Sequence, residues 1–301
     1  DPLLPPMLDL QARTGGIVLA FAEVPWEETK RYGIASVTSA EDHLTDLGEV
    51  VKVTGLVEKP KPEDAPSNLA VLGRYVLPGG VDVHTHFLPP RVMAKVRAQF
   101  DAAGPLIGRP WPLHYRDSDD ALVETLRSFG VRRFTALPYA HKPDMAEFLN
   151  DWAAGFAARV PEAAVCGTFF PEPGVAAYVS TRTGTVQVWK VHVQVGAFDV
   201  TDPLLDEAWG VVAEAGTPVV LHAGSGPVAT EHTGPGPVAE LLARHPRLRL
   251  VIAHAGAPEY AEFLRLAEAY ERVGLDTTMA FTPFFEDMGG VYPGELLPRL
   301  R

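Results

Sequence analysis

The chain has 301 residues, 47% hydrophobic and 21% charged, with a formal net charge of −12. That balance suits one large or two smaller globular domains with a sizeable core, and the acidic excess argues against a nucleic-acid partner. No apolar run approaches the ~20 residues that cross a bilayer and no signal-like start opens the chain, so a cytoplasmic protein without a membrane partner is expected.

Asp1 stands where a Met would, which reads as a processed or cut end. Residues 17–24 and 50–57 are apolar, β-rich runs and read as strands, with the Pro- and Asp-rich stretch 60–68 as a loop before 69–77. Next comes Gly79-Gly80-Val81-Asp82-Val83-His84-Thr85-His86-Phe87. Strand side chains alternate faces, so His84 and His86 leave one face of a strand together and form a two-imidazole clamp for one divalent ion. Apolar runs then alternate with helical stretches, the pattern of repeated βα units and a parallel sheet. Strands are expected at 133–137, 163–169, 186–195, 218–222, 248–254 and 273–278, with helices at 145–158, 204–215, 238–244 and 259–272. The one cysteine, Cys166, excludes an internal disulfide, fits a reducing compartment and reads as inert packing in its strand.

Leu221-His222-Ala223-Gly224 and Ala253-His254-Ala255-Gly256 each place a histidine at the carboxyl end of an apolar run, one βα unit apart. Barrel active sites gather at that end. Lys190, His192 and Gln194 share one face of the 186–195 run. The remaining histidines, His43, His114, His141, His232 and His245, sit in polar or loop contexts, and of these His114 is placed to reach a pocket. Seven strands precede Arg301 where a closed barrel has eight, so the barrel is expected to lack its last strand and its open edges to favour association of copies.

Val53-Thr54-Gly55-Leu56-Val57-Glu58-Lys59-Pro60, 65–70 and 73–77 resemble the middle of a bacterial UTP:glucose-1-phosphate uridylyltransferase. The resemblance implies sugar-phosphate contacts at Glu58-Lys59 and near Tyr32-Gly33. The nucleotide loop and acidic metal site of that family have no counterpart here, so a remnant is expected rather than a working transferase. Gly73 to His86 also resembles the junction of cyclic amidohydrolases such as dihydropyrimidinase and dihydroorotase, but Glu58-Lys59-Pro60 departs from it. A fusion point near residues 78–82 is preferred, dividing a partial nucleotidyltransferase-like segment (1–78) from a (β/α)8 TIM-type barrel lacking its last strand (79–301).

From about Val81 the chain resembles the amidohydrolase superfamily, in its family-two branch of metal-dependent hydrolases and decarboxylases. The resemblance implies a divalent ion, Zn²⁺ first and Mn²⁺ second, on His84, His86 and His222, and a proton-handling His254. It implies no bridging lysine in a single-metal site, leaving Lys190, His192 and His114 as substrate contacts. The family's eighth-strand aspartate has no counterpart, and Asp276 and Asp287 are the nearest by sequence. Hydrolysis of a small molecule by activated water is the leading expectation. Non-oxidative decarboxylation and a non-catalytic fragment are the alternatives, and sugar-nucleotide binding by residues 1–78 ranks last.

Overall fold

A computed structural model describes residues 4–40, 49–76, 79–111, 113, 115–288 and 290–299. The chain forms two compact units, Asp1–Gly80 and Val81–Arg301.

The first unit opens with the helix Leu4–Thr14 and continues as the strands β1 (Val18–Glu23), β2 (Gly33–Ser39), β3 (Val51–Glu58) and β4 (Leu69–Val76). They form one antiparallel sheet in the order β1-β4-β2-β3. β1 and β3 fall where the apolar runs place them, whereas β2 is absent from the sequence expectation. Its Ser and Thr residues dilute the apolar signal, yet Ile34 and Ala35 are fully buried. Ser67 Oγ donates to the Ala35 carbonyl at 2.6 Å and accepts from Leu69 N at 3.1 Å, tying the loop before β4 to β2.

The second unit is built on parallel strands: β5 (Gly80–Thr85), β6 (Val131–Ala136), β7 (Ala163–Ala164), β8 (Cys166–Thr168), β9 (Val188–His192), β10 (Val219–His222), β11 (Leu250–Ile252) and β12 (Val273–Leu275). The ladders run β5-β6-β7 and β8-β9-β10-β11-β12. β7 and β8 are consecutive pieces of one strand interrupted at Val165, so seven strand positions follow one another around the unit among the described residues. Each of β9, β10 and β11 is a short, nearly continuous apolar run, as expected of strands covered on both faces. Helices Ala146–Arg159, Pro203–Ala215, Pro235–Arg244 and Tyr260–Ala269 alternate with them. Trp189, Val191, Val219, Leu221 and Ile252 pack with Leu205, Trp209, Leu241 and Phe263 in one core. Full burial of side chains of this size contributes about 1.5–3 kcal/mol each.

Several details depart from the sequence expectation, among them β11 and β12, which end at Ile252 and Leu275 and leave His254 and Asp276 in the turns that follow. The strand expected over 186–195 ends at His192, and Val193–Gly196 turns into a short helix because the Val195 amide donates to the His192 ring. Gln194 therefore leaves the strand face, and its amide donates to the Gly226 and Val228 carbonyls. In β5, an edge strand of its sheet, Val81 and Val83 are 66% and 43% exposed.

Candidate metal centre

The carboxyl ends of β5, β9, β10, β11 and β12 deliver six side chains to one place: His84 and His86, Lys190, His222, His254 and Asp276. His84 Nδ1 donates to Asp276 Oδ2 at 2.8 Å, with both side chains 2% exposed. His86 Nδ1 donates to the Leu137 carbonyl at 2.9 Å. The partners are acceptors only, so both hydrogens reside on Nδ1 and both Nε2 atoms hold lone pairs. Those two Nε2 atoms are 3.1 Å apart. Two lone pairs at that separation repel unless a positive charge lies against them.

His254 repeats the pattern, with Nδ1 donating to the Thr278 carbonyl at 2.7 Å. Its ring stacks on His84 with centroids 4.9 Å apart and meets His222 edge-on at 4.9 Å. His222 is hydrogen-bonded to the Gly226 backbone, and among the described residues its buried Nε2 has no partner. The buried orphan nitrogen and the facing lone pairs fit a borderline-soft divalent cation that takes imidazole ligands.

Burial holds His84 down to about 4, assisted by the positive charge of Lys190 and opposed by Asp276. It likewise holds His86 and His222 well below the ordinary histidine range and lowers His254. Burial also lowers Lys190 to about 7, against the pull of Asp276; its Nζ lies 3.4 Å from His84 Nε2. For Asp276 burial works upward, but the His84 hydrogen bond and charge and the His254 amide outweigh it and hold the carboxyl at about 2. At neutral pH the cluster is thus a carboxylate and a lysine lowered to about 7 among neutral imidazoles.

Asp276 is the residue whose part the sequence reading left open. Oδ1 accepts from His254 N at 3.0 Å and Thr278 N at 3.1 Å, and its carbonyl accepts from Ala255 N at 2.6 Å. These bonds hold His254 (φ 55°) and Ala255 (φ 51°) in the left-handed region, which costs of order 1–3 kcal/mol per non-glycine residue. The donor atoms of His84, His254 and Asp276 all lie within 4.8 Å of one another, a geometry in which Asp276 itself could ligate. Its carboxylate already accepts three N–H groups, one of them the Nδ1–H of His84. A polar residue closing each apolar strand was the available signal, and Asp276 follows β12 as His254 follows β11.

The other expected residues divide. His192 enters the cluster by stacking on His222, centroids 3.9 Å apart. His114 and His43 lie outside the described residues. His141 is exposed, His232 pairs with Glu231 and His245 with Asp206, none of them at the cluster. Asp287 pairs with Arg109 at 2.8 Å.

A family model described as Amidohydrolase matches residues 81–293. The chain belongs to the amidohydrolase family. A solved structure of an uncharacterised TIM-barrel protein from Bordetella bronchiseptica superposes with a TM-score of 0.55 over 73% of this chain and 83% of its own, at 17% identity, which shows the fold. Residues 4–88 match a nucleotidyl transferase model. Here the curated relatives are UTP–glucose-1-phosphate uridylyltransferases, from Komagataeibacter xylinus (50% identical over 78 residues, 26% of this chain and 25% of that protein) and Pseudomonas aeruginosa (42% over 77 residues, 26% and 25%). The chain spans about a quarter of the length of these curated relatives. Among the described residues no helix is long and apolar enough to cross a membrane.

Proposed function

We propose that residues 79–301 form a metal-dependent hydrolase acting on a carbonyl or ester carbon of a small molecule, and that residues 1–78 are a separate, non-catalytic segment. The division of compact units at Gly80 supports the two-part reading. The observation that carries the hydrolase reading is the pair of Nε2 lone pairs 3.1 Å apart on His84 and His86, with the orphan Nε2 of His222 in the same cluster. These three nitrogens would hold the ion, Zn²⁺ by ligand type. Bound there, a divalent cation acts as a Lewis acid that polarises a carbonyl oxygen and lowers the pKa of water toward about 7.

The chain's own groups supply the rest. Asp276 fixes the His84 tautomer and clamps the turn that carries His254. His254, neutral at pH 7 and with Nδ1 committed to Thr278, keeps the Nε2 lone pair to accept the proton of an attacking water and return it to the leaving group. The one cysteine of the chain supports a cytoplasmic, reducing setting.

The test is zinc analysis of the purified chain followed by assay against lactones, esters and amides. Activity should vanish on chelation and return with Zn²⁺ or Mn²⁺. Activity indifferent to exhaustive chelation overturns the metal role, and CO₂ release without water incorporation overturns hydrolysis in favour of decarboxylation.

A further inference from the structure

His192 differs from the other imidazoles of the cluster in which nitrogen carries the hydrogen. The amide of Val195 donates to His192 Nδ1 at 3.3 Å. A backbone N–H can only donate, so Nδ1 holds a lone pair, and a neutral ring then carries its hydrogen on Nε2. In His84, His86 and His254 the opposite holds, because a carboxylate or a carbonyl accepts from Nδ1.

The difference is sharpest against His222. The two residues are register partners on β9 and β10, and their rings stack with centroids 3.9 Å apart and planes 14° apart. One ring of the pair has an unpartnered Nε2 lone pair, and the other has an Nε2–H. An N–H nitrogen has no lone pair for a cation, so His192 is unsuited to ligation through Nε2. An N–H donor on the ring that stacks against His222 suits an electron-rich oxygen, as in the donor sets that stabilise developing negative charge. Tyr139 stands beside the same ring, 5.4 Å from it and 5.4 Å from His86 between centroids, and walls that side of the cluster.

We infer that the Nε2–H of His192 receives an oxygen of the substrate, and that the site takes small molecules presenting a carboxylate or carbonyl oxygen next to His222. The substrate part of this inference rests on the hydrolase reading, whereas the tautomer does not.

The first experiment is ¹⁵N NMR of the histidine rings in the metal-free, full-length wild-type chain, with His192→Asn or His192→Gln used to assign the signal. The Nε2–H tautomer is expected for His192 and the Nδ1–H tautomer for His84, His86 and His254. An Nδ1–H tautomer at His192 overturns the inference.

The second experiment measures benzoate binding to the zinc-loaded chain by calorimetry. Asn at 192 keeps an acceptor for the Val195 amide and removes the distal donor, whereas Gln keeps a distal donor and loses the acceptor. His192→Asn should weaken benzoate roughly tenfold or more, the size of a hydrogen bond to a charged acceptor, and His192→Gln should recover part of it. Zinc affinity should hold in both variants. Wild-type benzoate affinity in His192→Asn, loss of zinc by that variant, or no benzoate binding by the wild type each overturns the substrate role. A wild-type chain that takes up no zinc defeats the hydrolase reading, and the tautomer measurement then still decides the state of His192.

Discussion

The two compact units treat buried polar groups differently. In Asp1–Gly80 the buried polar side chain among the described residues is Thr29, whose hydroxyl donates to the Trp26 carbonyl at 2.8 Å and is thereby satisfied within one turn. In Val81–Arg301 the buried set includes His84, Lys190, His222 and Asp276, all brought to one end of the sheet. Burying ionisable groups costs several kcal/mol unless each finds a partner. Keeping four of them together, one with an orphan nitrogen, is what the proposed metal site would account for. Yet the first unit carries the high identity, 50% to a uridylyltransferase, while the second shares 17% with a solved barrel.

The largest effect that could break this contrast is removal of a proposed ligand. His84→Ala should abolish zinc retention through dialysis, read by metal analysis. Full zinc content in that variant would reduce the cluster to a hydrogen-bonded core like that around Thr29.

Acid stability of the metal-free chain comes next. His84 is held at about 4 against an ordinary 6.5, so between those values the unfolded chain binds a proton that the folded chain refuses. Stability is therefore complete above pH 6.5 and is lost as pH falls toward about 4, by about 1.4 kcal/mol per pH unit for each histidine so held. His86, His192, His222 and His254 are lowered as well and add to the slope. Asp276 contributes stability above pH 3.8 that disappears as pH falls through about 2. Denaturant melts from pH 7 to pH 4 should show this fall. A flat profile would mean that the imidazoles are already protonated or open to solvent.

A smaller effect sharpens the role of Asp276. Asp276→Asn should weaken zinc by roughly 10–100-fold, the usual cost of losing the carboxylate behind a ligating imidazole. Loss as complete as in His84→Ala would make Asp276 a ligand in its own right. The smallest expected effect concerns the first unit. UDP-glucose should leave the melting temperature unchanged, and a rise would restore a binding function to residues 1–78.

Much of the barrel was legible because β10 and β11 are uninterrupted apolar runs closed by His222 and His254, and because His84 and His86 stand two apart at the end of β5. β2 was hidden because Ser36, Thr38 and Ser39 dilute Ile34 and Ala35, whose burial is a tertiary fact. The end of β9 at His192 was hidden because a side chain, rather than a Gly or Pro, redirects the backbone. The Asp276–His84 bond joins residues 192 apart in the chain, and spacing carries no trace of it. Which ring nitrogen bears a hydrogen is likewise invisible until the acceptor is seen in space.

The turn at His254 and Ala255 narrows the substitutions open to a drifting lineage. Position 254 must tolerate a positive φ, which admits glycine, asparagine and aspartate most readily and penalises β-branched residues. Under the proposed mechanism it must also offer an imidazole to the cluster. Neutral wandering at this position is therefore blocked twice, once by backbone sterics and once by chemistry. Gly256 beside it, where a Cβ would lie 2.0 Å from the Phe263 ring, is closed by packing as well. A search of sequence variants for activity would find this three-residue turn among the least permissive stretches of the unit.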